Sequence, residues 1–313
     1  MNQTKQLAAD VNFAADDEID LRELFATIWA GKWLITAITS VFAIGAVCLA
    51  LYLPNIYKSE ALLAPASQEQ GGLGGLAGQF GGLASLAGIS LGGGGAVDNT
   101  TLAMEVVQSR TFLSNFIEQH QLQVALMAAK GWDESTDQLL IDEEVYNGSS
   151  KQWLREPEGR RGVEPTEQEL VEAMLELITV SQAKDSGLVS ISVEHFSPFV
   201  AKQWVDWLVQ DINFEMKTRD LKEANKSITY LESKLATTKI AELQNVLYQL
   251  IEEQSKTVMF AEVRDEYIFK TVDAAVVPEL KAKPKRALIC VLGTLLGGML
   301  GVFVVLIRAF VRK

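Results

Sequence analysis

Two stretches of this chain lose all charge. Trp33 to Leu53 and Ala287 to Ile307 are each 21 residues long and contain no Asp, Glu, Lys or Arg. As helices they measure roughly 31 Å, about one bilayer core, and they predict membrane spans. Buried helices of soluble domains are usually shorter and polar along one side. Trp29 and Trp33 stand at one end of the first run, and Tyr52 and Tyr57 at the other. Amphipathic rings of this kind favour the headgroup zone. The polar leader is too long for a cleaved signal, so the first span is an uncleaved anchor.

Between the spans the pattern changes repeatedly. Ile56 to Leu63 predicts a short strand directly after the membrane. Residues 71–95 hold 12 Gly and five Leu without a charge, too much glycine to hold a helix or strand alone. Two readings stay open for this run: a flexible loop, or a mobile apolar loop that touches lipid or a membrane partner. Thr101 to Leu122 carries a helical face of Leu102, Val106, Leu113, Phe116 and Ile117. Residues 131–165 are charged and interrupted by Gly and Pro, as surface structure is. Thr166 to Glu169 reads as a capping box, with Leu170, Met174 and Leu177 on one face of the helix that follows. Leu177–Gln182 and Leu188–His195 flank Lys184-Asp185-Ser186-Gly187, a hairpin signal. Val189, Ile191 and Val193 alternate with polar residues, the period of a half-buried strand.

Ser197-Pro198 predicts an N-cap and a first-turn proline. From Phe199 to Val277 there is neither Gly nor Pro. Ile228, Leu231 and Leu235 keep 3–4 spacing, and Ile240, Leu243, Leu247 and Leu250 resume it after a slip in phase. Read as one helix, 199–256 is roughly 87 Å long. Its stripe, with Leu231, Leu235, Leu243 and Leu247, needs a returning helix or a neighbouring subunit. Tyr267 to Val277 is strand-like and leads back to the membrane.

Charge sorts by segment. Residues 54–286 hold 22 basic and 34 acidic residues, a net −12, which is also the net charge of the whole chain. That argues against a nucleic-acid partner, which needs a cationic footprint. The tail 308–313 has three basic residues and no acid, and the leader 1–32 has Lys5, Arg22 and Lys32. Both suit a cytoplasmic side, with both termini inside and 54–286 outside. Lys281, Lys283, Lys285 and Arg286 run against that rule, but long domains cross largely regardless of charge. Cys48 and Cys290 fall inside the spans, so the outer domain has no disulfide to draw on.

Catalytic patterns are missing. The chain has no phosphate-binding G-x-x-x-x-G-K-[ST], and its two histidines, His120 and His195, lack a second ligand at metal spacing. No cofactor is expected. Acid pairs such as Glu143-Glu144 and Glu252-Glu253 read as solvated surface. The second span does carry a pattern: Gly293, Gly297 and Gly301 recur every four residues, a face that lets membrane helices approach closely.

The segment Asp17-Glu18-Ile19-Asp20-Leu21 through Lys32-Trp33, the Tyr57-Lys58-Ser59-Glu60-Ala61 stretch, and Pro278 with Pro284-Lys285-Arg286-Ala287-Leu288-Ile289 before the second span form an ordered set. In that order and spacing the chain resembles the bacterial chain-length determinant (Wzz-type) proteins, the polysaccharide co-polymerases. Lys281 stands where that family often has a middle proline. The resemblance covers essentially the whole chain. It implies an α+β membrane protein of the bacterial inner membrane, with two transmembrane helices flanking a periplasmic α/β base and a long extended helix. It implies a ring-like homo-oligomer that is not an enzyme. Its implied role is to set the modal length of O-antigen or a related polysaccharide, made by a Wzy-type polymerase on undecaprenyl-diphosphate carriers.

The organisation expected is a leader (1–32), a span (33–53), the periplasmic domain (54–286), a span (287–307) and a tail (308–313). The alternative is an adaptor in capsule or exopolysaccharide export. Six residues after Ile307 leave room only for a separate tyrosine kinase. A periplasmic sensor would need a larger cytoplasmic output domain, and a glycosidase would need two carboxylates converging across a cleft.

Overall fold

The computed structural model describes residues 28–66, 99–157, 159 and 161–312. The Gly-rich run 71–95, the Asp17–Leu21 motif and Lys313 lie outside the described residues. The chain divides into two compact units, residues 54–283 and the terminal segments 1–53 with 284–313.

In the terminal unit, α1 (Lys32–Tyr52) and α8 (Arg286–Arg312) are the two helices long and apolar enough to cross a bilayer. The second continues five residues beyond Ile307, into its basic end. Only a small share of either helix is buried within the chain. Thr36, Thr39 and Thr294 donate their hydroxyls to carbonyls four residues back, so these polar groups are satisfied where no water reaches.

The other unit is built on an antiparallel four-stranded sheet. Its strands are β1 (Tyr57–Pro65), β6 (Ile178–Gln182), β7 (Val189–His195) and β8 (Phe269–Asp273), ordered β6-β7-β1-β8. The period-two pattern sets the register. Ala61 pairs with Ile191 and Leu63 with Val189, and all four side chains are buried. Against this sheet lies the first half of α6 (Pro198–Thr237), which buries Trp204, Val205, Leu208, Ile212 and Met216. Ser197 caps α6 by accepting from the Val200 N–H, with Pro198 in the first turn.

The helical face at 101–122 folds as two helices, α2 (Asn99–Val107) and α3 (Arg110–Gln119). Ser109 interrupts it: its side chain accepts from the Phe112 N–H and starts a new helix. After the one-turn α4 (Gln123–Met127), residues 129–153 form two small hairpins. These are β2 (Ala129–Asp133) with β3 (Gln138–Ile141), and β4 (Tyr146–Asn147) with β5 (Gln152–Trp153). Then α5 (Glu167–Leu177) opens with the expected capping box at Thr166 and Glu169 and passes straight into β6. Arg155 donates to both oxygens of Glu169 and to the carbonyls of Val163 and Glu164, which straps the preceding loop to α5. Hydrogen bonds from that guanidinium hold the Glu169 carboxyl down to about 2.

The single rod expected over 199–256 is a helical hairpin. The helix α6 stops at Thr237, residues 238–240 are extended, and α7 (Ala241–Val263) returns. Three β-branched residues, Thr237, Thr238 and Ile240, raise the cost of continuing. The hydroxyls of Thr237 and Thr238 donate to the Lys234 carbonyl, and Gln244 donates to the Thr238 carbonyl. The Lys234 and Leu235 carbonyls of the last turn are therefore satisfied, the latter by the Thr238 N–H. At 1.5 Å per residue α6 is roughly 60 Å long and α7 roughly 35 Å. Lys217 of α6 donates to the Arg264 carbonyl just past α7, which fixes the antiparallel return.

One buried amide closes the sheet. Asn213 of α6 accepts from the Ile268 and Phe269 N–H groups and donates to the carbonyls of Phe269 and Val209. Its side chain stands where a fifth strand would pair with β8. Further along, Glu266 accepts from the Thr271 N–H. Backbone groups of β8 at Phe269 and Thr271 are thus occupied by side chains of its own chain.

Candidate functional site

The glycines of the second span face the first. A Cβ at Gly293 would fall 2.4 Å from the Ala46 Cβ. At Gly297 it would fall 2.6 Å from the Phe42 Cβ and 3.1 Å from the Thr39 Cα, and at Gly301 3.1 Å from the Ile35 Cα. Only hydrogen fits at distances under 3 Å. The partners Ile35, Thr39, Phe42 and Ala46 recur at helical spacing in reverse order, so α1 and α8 pack antiparallel along this ladder. Gly31 extends it, facing Val305. This small-residue face is used inside the chain. Most large apolar side chains of both helices, among them Val41, Ile44, Leu51, Leu295 and Phe303, remain exposed, as a bilayer solvent requires.

The stretch from Val276 to Lys283, which carries Pro278 and leads into Pro284, Lys285 and Arg286, bonds to residues at the start of β1. Ser59 donates its hydroxyl to the Val276 carbonyl. Ile56 and Lys283 form an antiparallel bridge, with Ile56 N–H donating to Lys283 and the Ala282 N–H to Ile56. Lys283 pairs with Glu194 at 2.6 Å, and Lys281 donates to Asn55. Pro284 and Lys285 accept the first backbone bonds of α8, from Arg286 and Ile289.

Of the leucines placed on the long helix, Leu231 and Leu235 are half-buried on α6, Leu247 is buried, and Leu243 is exposed on α7. The returning helix covers part of the stripe. Ile240, Leu243 and Val246 stay open near the tip, and Met259 and Val263 near the other end. A groove of about 900 Å³ lies between α6 and α7, with Leu231 and Leu250 among its lining.

Both histidines are held by the fold. His120 hydrogen-bonds Asp211 at 2.8 Å and stacks on Trp207, with ring centroids 4.2 Å apart. His195 is buried; its Nδ1 accepts from the Ser197 N–H and its Nε2 faces the Ala125 carbonyl. Burial pushes it down to about 4, so it is neutral at physiological pH. Among the described residues no group of His, Cys, Asp and Glu is arranged to hold a metal ion. Glu143 and Glu144 are exposed, and Glu252 pairs with Lys256.

Sequence reasoning missed Asn213, because a polar residue inside an amphipathic helix carries no mark of its partners 55 and 56 positions away. It also missed the partner face on α1, since that helix is apolar all round.

Comparison with known proteins now bears on this architecture. A family model described as "Chain length determinant protein" matches residues 17–120. A second, "G-rich domain on putative tyrosine kinase", matches residues 238–310. No curated protein matches the chain. Among solved structures, a full-length bacterial polysaccharide co-polymerase is similar at 15% identity, covering 95% of this chain and 98% of its own, with a TM-score of 0.38. A fragment of WzzB, a polysaccharide co-polymerase from Salmonella Typhimurium, is similar at 12% identity, covering 73% of this chain and all of its own, with a TM-score of 0.25. The first span and β1 thus fall inside the region similar to the chain length determinant (Wzz-type) proteins, and the second span falls inside the other matched region.

Proposed function

We propose that this protein is a non-enzymatic scaffold that regulates the modal length of a surface polysaccharide, O-antigen or a relative of it. It works with a Wzy-type polymerase on undecaprenyl-diphosphate-linked chains. In this reading it sits in the bacterial inner membrane as a ring-like homo-oligomer, with residues 54–286 in the periplasm and both termini in the cytoplasm. The observation that carries the reading is the chain length determinant match over residues 17–120. The half-covered apolar stripe of the hairpin supports self-association, because exposed apolar area costs about 25 cal/mol per Å². The test is a gel profile of surface polysaccharide with and without the chain. A broadened or shifted length distribution supports the reading, and an unchanged distribution sinks it.

A second reading has its own support. The match over residues 238–310 is to a domain described on tyrosine kinases. Here the chain is the membrane adaptor for a separate cytoplasmic kinase in capsule or exopolysaccharide export. Loss of tyrosine phosphorylation on that kinase when the chain is deleted would favour the adaptor. Unchanged phosphorylation with altered polymer length would favour the first reading.

A further inference from the structure

We propose that the groove between α6 and α7 is a binding site for a linear, hydroxyl-rich glycan, a ligand class that rests on the polysaccharide reading above. The groove encloses about 900 Å³, within the range of specific ligand sites. It follows α6 from Glu215 to Tyr230, roughly 23 Å, which is long enough for several sugar units in a row. Along it stand Glu215, Arg219, Lys222, Glu223 and Lys226, and Tyr230 marks its outer end.

These charges are unspent. Glu215–Arg219 and Arg219–Glu223 have the four-residue spacing that favours helical ion pairs. At that spacing Lys202–Asp206 on α6 and Glu252–Lys256 on α7 do close, but among the described residues the groove charges close no such pair. They line the cleft as separate donors and acceptors. Tyr230 is more than half exposed, with the Lys234 ammonium 5.3 Å from its ring centre. An amphipathic ring and two leucines in one lining, beside spaced donors and acceptors, match a sugar polymer, which offers apolar ring faces and hydroxyl edges in alternation.

A helix from a second copy is the competing occupant. It would bury Leu231 and Leu250, but it would also strip water from five charges of both signs, and each one not met by an opposite charge at its own position would be costly. A hydrated glycan hydrogen-bonds those groups and leaves water between the rest.

The test uses the full chain purified in detergent. The probe is a set of oligosaccharides cut from the bacterium's own surface polysaccharide, with binding followed by titration calorimetry. The variants are Lys222→Ala with Lys226→Ala, and separately Tyr230→Ala. Lys239→Ala, outside the groove lining, is the control. Wild type and the control should bind alike, and each groove variant should bind about tenfold more weakly, with helicity and oligomer mass unchanged. Wild-type protein that binds none of the oligosaccharides overturns the groove proposal, even if deleting the gene still changes polymer length. A deletion that leaves polymer length unchanged sinks the polysaccharide reading instead. Groove variants that lower oligomer mass and keep wild-type glycan affinity would assign the groove to a second copy and also overturn the proposal.

Discussion

Replacing Asn213 with Ala should unfold the region where α6 meets β8 at a much lower temperature. The wild-type amide answers two buried backbone donors, at Ile268 and Phe269, and one carbonyl, at Phe269. The side chain is almost fully buried, so water does not reach these groups while the fold is intact. Each orphaned group costs about 1–3 kcal/mol, so three cost about 3 kcal/mol or more. For a domain of this size that lowers the melting temperature by about 6–12 °C. Asn213→Asp keeps an acceptor but loses both donors and buries a charge, so it should be at least as damaging. The assay is thermal unfolding of the detergent-solubilised chain, with amide exchange read at positions 268 and 269. Exchange there should accelerate in the Ala variant while β7 amides change less. A melting shift under about 2 °C in the Ala variant would refute the reasoning, because three buried groups cannot lose their partners so cheaply.

Other expectations follow from other parts of the structure. Gly297→Leu should drive α1 and α8 apart, because a Cβ alone already meets Phe42 at 2.6 Å. Cysteines at Thr39 and Gly298 should then cross-link more slowly than they do without the substitution. His195 has a folded pKa of about 4, below its unfolded value, so its neutral form favours the fold. Stability should be full above about pH 6.5 and fall by about 3 kcal/mol as pH drops to about 4, and His195→Gln should flatten that slope in acid titrations followed by circular dichroism. Leu243→Asp, on the exposed side of α7, should reduce oligomer mass by light scattering without lowering helicity; an unchanged mass would remove that face from the assembly.

How much of this was legible depended on whether the determinant was local. Capping boxes, N-caps and turn residues are short-range chemistry, so Thr166, Ser197 and the hairpin at Lys184–Gly187 read correctly. Each charge-free run of 21 residues, Leu53 apart, does lie in one long apolar helix, because its large apolar side chains are continuous. The helix break at Thr238–Ile240 left a trace, the phase slip between Leu235 and Ile240. Without a Gly or Pro to mark it, the slip is compatible with an irregularity in one rod. The break at Ser109 left less, since the apolar face from Leu102 to Phe116 runs on across it. The hairpins of 129–153 were hidden by charges and turn residues that look alike in any surface segment. What closes the fold is long-range: the reach of Asn213, the ladder on α1 and the strap of Arg155 onto Glu169 depend on partners that no local window contains.

The bridge between Ile56 and Lys283 has a consequence for how the membrane helices find each other. It holds the two ends of a 228-residue segment within hydrogen-bonding distance, three residues from where α8 begins and four from where α1 ends. Two separate helices joining in a bilayer must surrender their freedom to diffuse. Here the bridge brings together the two chain ends that lead into them, which raises their effective concentration without adding a contact. The loop-closure entropy of that long segment, which grows only slowly with length, is met once, by domain folding. The glycine ladder can therefore be short and still close. The pair should loosen when the domain melts, even though no lipid-facing residue has changed.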